Sequence, residues 1–188
     1  MTVPDDAFEA GVHIARALAQ GGVSYALGGA LAYGQYGIPR ATNDVDVNVF
    51  VQTGQLGDVF AALRLLGIEI DETAAHAAAS REGLIVLRWG QYRIDVFTPS
   101  IDFSWEAERT RVCFSIGDVR VWFLSAEALC VFKLLFFRGK DLVDLERLLA
   151  VQGAAVDTGY VRAQIVEMMG ADDPRVSAWD RLCAERAV

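Results

Sequence analysis

The chain has 188 residues, is 53% hydrophobic and 22% charged, and carries a formal net charge of -8 with a pI near 4.7. That balance supplies a core and excludes a disordered chain, and the acidity excludes general, sequence-blind DNA binding, which depends on Lys and Arg neutralising phosphates. Cys113, Cys130 and Cys183 are odd in number, widely spaced and without a C-x-x-C pair, so reduced thiols of a cytoplasmic protein are expected. The acidic start MTVPDDAFEAG lacks the basic and apolar regions of a signal peptide. The strongest apolar run, Ala128 to Phe137, is interrupted by Lys133 and falls short of the roughly 20 residues that span a bilayer, so no membrane association is expected.

Along the chain, residues 5 to 20 place Phe8, Val12, Ile14, Ala15 and Leu18 at helical spacing behind Pro4 and two acids, and Gly21-Gly22 ends the pattern. Val23 to Leu27 reads as a short strand, Gly28-Gly29 as its turn, Ala30 to Tyr36 as a short helix and Gly37-Ile38-Pro39 as a break. From residue 44, Val45, Val47, Val49 and Val51 alternate with Asp44, Asp46 and Asn48, the period-2 pattern of a strand with one buried face. Helices are expected over 55–66 and 71–80. Hairpins follow, 84–89 with 92–97 about Gly90-Gln91 and 111–115 with 120–124 about Gly117-Asp118. Asp71, Asp102 and Asp118 fall in expected loops or turns. From Ser125, an N-cap with Glu127 in the first turn, the pattern becomes helical over 126–137, 141–151, 158–169 and 174–187. The fold class expected is α+β: a small mixed β-sheet flanked by helices in residues 1–124, then a C-terminal helical lobe in residues 125–188.

Asp44 and Asp46 project from one face of their strand, where each raises the other's pKa unless a cation or donor lies between them. A divalent metal resolves the repulsion, and a hard ion such as Mg2+ keeps room for substrate phosphates. A phosphoryl-transfer site needs a further acid, and Asp95, flanked by Ile94 and Val96, is the candidate on a neighbouring strand, as metal ligand and general base. Gly28 and Gly29 allow close approach of a backbone to phosphates at the following helix start. Arg40 and Thr42, just before Asp44, are candidates to hold triphosphate oxygens or orient the first carboxylate. Lys133 stands in an otherwise apolar helix, where it must snorkel, pair or meet a phosphate. Two readings stay open for it: a nucleotide contact, or an ion pair with Asp141 or Asp144, which are expected free on a helix face away from Leu142, Leu145, Leu148 and Leu149. His13 and His76 read as packing or surface residues, and Trp89, Trp105, Trp122 and Trp179 as core or lobe-interface residues rather than base-stacking platforms.

Gly28-Gly29, R-x-T-x-D-x-D from Arg40 to Asp46, and Asp95 together resemble the polymerase-beta-like nucleotidyltransferase superfamily. K-x4-R-x-K-D-x2-D, from Lys133 to Asp144, is similar to the helical segment of abortive-infection type nucleotidyltransferase toxins. The resemblance implies a catalytic lobe at 1–124 and Mg2+-dependent transfer of a nucleoside monophosphate from an NTP such as ATP, with Mn2+ as an alternative ion. It implies Asp44, Asp46 and Asp95 as metal ligands, Gly28 and Gly29 at the triphosphate, Lys133 as a nucleotide contact, and Asp141 orienting that lysine or lining the acceptor side. It also implies an acceptor hydroxyl on tRNA, a protein or a small molecule such as an aminoglycoside, and, on the toxin branch, a cognate antitoxin. Gly29 stands where many members have serine. The competing reading from another class is a non-catalytic nucleotide-binding module.

Overall fold

Six strands form one mixed sheet in the order β3-β4-β2-β1-β6-β5 in this computed structural model, which describes residues 4–37 and 39–185. They are β1 Tyr25–Leu27, β2 Asp44–Val49, β3 Leu84–Trp89, β4 Tyr92–Phe97, β5 Val112–Ile116 and β6 Val119–Phe123. The two hairpins, β3-β4 and β5-β6, pair antiparallel because a two-residue turn returns the chain beside itself. β1 and β2 are also antiparallel, whereas β2 with β4 and β1 with β6 are parallel. The helices are α1 Ala7–Gln20, α2 Gly29–Tyr36, α3 Gly57–Arg64, α4 Glu72–Glu82, α5 Phe103–Thr110, α6 Ala126–Phe136, α7 Gly139–Gln152, α8 Thr158–Met169 and α9 Pro174–Glu185.

The described chain forms two compact units. One contains residues up to Leu31 together with Ala41–Leu124; the other contains Ala32–Arg40 and the residues from Ser125 onward. In the first, Val45, Val47 and Val49 of β2, Ile94 and Val96 of β4, and Ile85 of β3 are buried on the apolar side of the sheet, as alternation requires. Helix α1 packs on β1, β2 and β6 through a face that buries Ile14 and Leu18. Its N-cap is Asp6, whose carboxylate accepts from the Glu9 N–H at 2.8 Å. His13 meets Trp89 edge to face and His76 meets Phe60 in the same way, so both histidines pack against rings.

In the second unit Ser125 caps α6, its Oγ accepting from the Ala128 N–H at 3.1 Å. Leu129, Cys130, Val131 and Leu134 of α6, Leu145, Leu148 and Leu149 of α7, Val161 and Ile165 of α8, and Val176 and Trp179 of α9 are buried. Cys113, Cys130 and Cys183 carry thiols rather than disulfides.

Several elements differ from the expectation. The strand expected from Val23 begins at Tyr25, because the Val23 N–H bonds instead to Leu18 O at the end of α1. Helix α2 starts one residue early, at Gly29, and the helix expected over 55–66 is a 3-10 turn, Thr53–Gln55, followed by α3. Helix α5 was not expected: it is only eight residues long, buries Phe103, Ser104 and Ala107, and offers too few turns for a periodic signal. Asp141 and Asp144 are buried, at 2% and 4% exposure, rather than lying on a free face of α7. Ile38 in the expected break and Arg186-Ala187 at the expected end of the last helix lie outside the described residues. No described helix is long and apolar enough to cross a membrane.

Candidate active site

β2 and β4 run parallel in a register that places Asp46 opposite Asp95 and Asp44 opposite Arg93. Paired residues on adjacent strands point to the same face, with the strands about 4.8 Å apart. The face opposite the buried valines therefore carries Asp44, Asp46 and Asp95 together, half-buried at Asp46 and Asp95 and exposed at Asp44. The row continues in both directions: the Gly28 N–H donates to Asp46 O at 2.8 Å on one side, and Val86 pairs with Asp95 on the other. Gly28, Asp46, Asp95 and Val86 thus stand in one line across four neighbouring segments.

The two glycines serve this line directly. A Cβ on Gly28 would lie 2.8 Å from Asn48 Nδ2, and Gly28 is buried. Gly29 has a φ of +50°, and a Cβ there would collide with the carboxylate of Asp46. The group that approaches this backbone so closely is thus the Asp46 carboxylate. It lies at the first residue of α2, where the unsatisfied N–H groups of a helix start favour negative charge. Thr42 Oγ1 accepts from the Asp44 N–H at 3.0 Å, so Thr42 fixes the backbone entering β2. Its hydroxyl orients the segment that bears the first carboxylate.

Arg93 was not among the expected site residues. Its Nε donates to Asp95 Oδ1 at 2.8 Å. That hydrogen bond and the charge of Asp95, with smaller contributions from Asp44 and Asp46, push its already high pKa further up. A guanidinium therefore lies among the three carboxylates. Across the β3-β4 hairpin Arg93 is paired with Arg88, also exposed. The signal for both was present in the sequence: alternation puts Arg93 on the face of Asp95, and the two-residue Gly90-Gln91 turn sets Arg88 opposite Arg93.

Among the described residues no group of three or more His, Cys, Asp or Glu side chains stands close enough to hold one ion. The donor set nonetheless fits a hard divalent cation in its chemistry, being carboxylate oxygens carried on one face of two paired strands.

In the second unit, Lys133 Nζ lies 2.6 Å from Asp144 Oδ2 and 3.9 Å from Asp141 Oδ1, with the Tyr33 ring centroid 5.4 Å away. Arg40 Nη2 is 3.6 Å from the same Asp144 oxygen. Arg138 donates to both oxygens of Asp141 through Nε and Nη2, and its backbone N–H also donates to Oδ2, closing a capping box on α7. Burial acts to raise the pKa of Asp141, but the hydrogen bonds and charge of Arg138, joined by Lys133, outweigh it and hold the carboxyl below its ordinary value. The ion pair considered for Lys133 is present, in a chain of alternating charges from Arg138 to Arg40. The sheet face and this chain belong to different units.

No protein-family model matches the sequence, and no curated protein matches it. Solved structures do. The solution structure of the antibiotic-resistance factor ANT(2'')-Ia aligns with a TM-score of 0.60 at 16% identity, covering 85% of this chain and 90% of that one. The crystal structure of ANT(2'')-Ia in complex with adenylyl-2''-tobramycin aligns with a TM-score of 0.58 at 15% identity, over 83% of this chain and 94% of that one. This chain has the nucleotidyltransferase fold. An antigenic nucleotidyltransferase-like protein from Paracoccidioides brasiliensis also aligns, with a TM-score of 0.50 at 15% identity over 94% of each chain. On this nucleotidyltransferase fold, β2 and β4 bring Asp44, Asp46 and Asp95 to one sheet face, while Lys133, Asp141 and Arg40 belong to the helical unit.

Proposed function

We propose that this protein is a metal-dependent nucleotidyltransferase that moves a nucleoside monophosphate from an NTP to an acceptor hydroxyl and releases pyrophosphate. The observation that carries this reading is the register of β2 and β4, which sets Asp46 beside Asp95 with Asp44 on the same face of a nucleotidyltransferase fold. Asp44, Asp46 and Asp95 would hold Mg2+ or Mn2+. When bound, the ion neutralises phosphate charge and polarises the reacting phosphoryl group.

The chain's own groups do the rest. The N–H groups at the start of α2, behind Gly28-Gly29, receive the triphosphate on the β1 side of Asp46. Asp95 accepts the proton of the acceptor hydroxyl, whose oxygen bonds to the α-phosphorus. The bond from that phosphorus to the bridging oxygen breaks, and pyrophosphate leaves with the electron pair. Catalysis is positioning and charge stabilisation. For the helical unit the proposed part is electrostatic: Lys133 holds Asp144, Asp144 holds Arg40, and Asp141 holds Arg138. Arg40 and Arg138 are the exposed members of this chain of charges. The Lys133 to Asp144 pattern supports a toxin-like enzyme acting on tRNA or protein, with an antitoxin as partner. A small-molecule acceptor is the second reading, favoured by the adenylyl-2''-tobramycin held in ANT(2'')-Ia.

The test incubates the protein with each α-labelled NTP, Mg2+ or Mn2+, and cell extract. Label transfer is expected, reduced about 10²–10³-fold in Asp46→Asn and Asp95→Asn. Undiminished transfer by both variants would overturn the site, and metal-dependent NTP binding without transfer would point to a non-catalytic module.

A further inference from the structure

The sheet ends in two edge strands, β3 on one side and β5 on the other. Edges that face water are guarded by charge, proline or a bulge, because their outward N–H and C=O groups otherwise recruit another strand. β3 has such a guard in Arg88. β5, Val112-Cys113-Phe114-Ser115-Ile116, carries no charge and no proline, and it pairs with β6 residue for residue without a bulge.

The two-residue Gly117-Asp118 turn closes on Ile116 and Val119, so Ile116, Phe114 and Val112 exchange backbone hydrogen bonds with β6, while Cys113 and Ser115 turn theirs away from it. Among the described residues no other backbone group bonds to Cys113 or Ser115. The apolar side chains of the strand share one face: Val112 is 37% exposed, and Phe114, edge to face with Phe123, and Ile116 are half-buried. This edge therefore offers both backbone groups and apolar surface to an added strand.

The strand is complementary to itself. Set antiparallel about Phe114, two copies bring Cys113 opposite Ser115 twice, for about four new backbone hydrogen bonds, and lay Val112 against Ile116 on either side of a Phe114 to Phe114 pair. The charges at its ends agree with that direction. Arg109 and Arg111 precede the strand and Asp118 follows it, with Arg109 and Asp118 exposed, so antiparallel pairing sets the positive end of each copy against the negative end of the other. Parallel pairing would set like against like.

We infer that β5 is a homodimer interface, at which a second copy of this chain adds its own β5 antiparallel about Phe114 to make one continuous sheet. β1 and β6 stand between β5 and the acid-bearing β2, so the acid row takes no part in the pairing. A contact of one strand edge is small, which makes the dimer a weak one.

Sedimentation equilibrium of the full chain from about 1 μM to about 500 μM tests this, with the mass expected to rise from 20.5 kDa toward twice that value. Val112→Lys puts a charge on the exposed apolar face, and Ser115→Pro removes an outward N–H and none of those bonded to β6. Each should weaken dimerisation about tenfold or more. Leu65→Lys, at an exposed residue just after α3, should change it less than about twofold. Thermal unfolding of each variant separates lost pairing from lost fold. The register is read by oxidation in a Cys113→Ser, Cys183→Ser background. Phe114→Cys should give a disulfide dimer, because directly opposite residues stand about 4.5–5.5 Å apart, and Ile116→Cys should not, its copies being about 13 Å apart along the strands. A monomer at every concentration, a dimer that both Val112→Lys and Ser115→Pro leave intact, or equal cross-linking by the two cysteine variants would overturn the inference.

Discussion

A side chain at position 29 would have to occupy the space taken by the Asp46 carboxylate, and it would have to do so at a φ of +50°. Both effects act on one residue, so Gly29→Ala is expected to lose about 1–3 kcal/mol of stability from the backbone conformation alone. It should also displace Asp46 and reduce nucleotidyl transfer, a loss that thermal unfolding and a transfer assay on the same preparation would separate. A Gly29→Ala protein with wild-type melting temperature and wild-type transfer would contradict the close packing of Asp46 on α2. A serine at this position would meet the same carboxylate, and Asp46 would have to move to accommodate it. This part of the site was legible in the sequence as a Gly-Gly pair upstream of D-x-D. The identity of the group that presses on Gly29 was not, because it depends on how closely β1 and β2 pair.

At the scale of elements, two pairings bring the candidate site residues together. The parallel contact between β2 and β4 joins residues some fifty positions apart and turns separate acids into a row. Strand alternation alone showed which face each acid occupied, but it could not show that β4 rather than another strand lies beside β2. The second pairing joins α6 to α7 through Lys133 and Asp144 at 2.6 Å, both buried. Removing one partner leaves the other charge buried with only a longer contact, Arg40 at 3.6 Å for Asp144 or Asp141 at 3.9 Å for Lys133. Lys133→Met is therefore expected to destabilise the protein by about 3–5 kcal/mol, and Lys133→Met with Asp144→Leu to recover a large part of that loss. Denaturant unfolding of the two single variants and the double variant measures the coupling. Additive losses would remove the ion pair as the reason for a lysine in an apolar helix. The apolar run showed that Lys133 needed a partner. The burial of Asp141 and Asp144 was misread because leucine spacing on α7 defines one buried face and is silent about a second face covered by charged neighbours.

Across the whole molecule, the net charge of -8 and the local cluster of arginines beside the acid row have different consequences. The global field repels a polyanion, so duplex DNA is expected not to bind at an ionic strength near 0.15 M, where the Debye length is about 8 Å and only local contacts persist. A gel-shift assay with random-sequence duplex checks this, and retention of the duplex at that salt would contradict it. By itself the sequence determined the composition of a folded α+β chain, the two hairpins, the helical run after Ser125, and the acid-bearing face of β2, because turn residues and period-2 or helical spacing are local properties. Only the tertiary structure decided that Asp95 stands beside Asp46 and that Lys133 is enclosed by two carboxylates. Each of those depends on which distant segments pair and in what register, and register is set by the packing of the whole core rather than by any one stretch of chain.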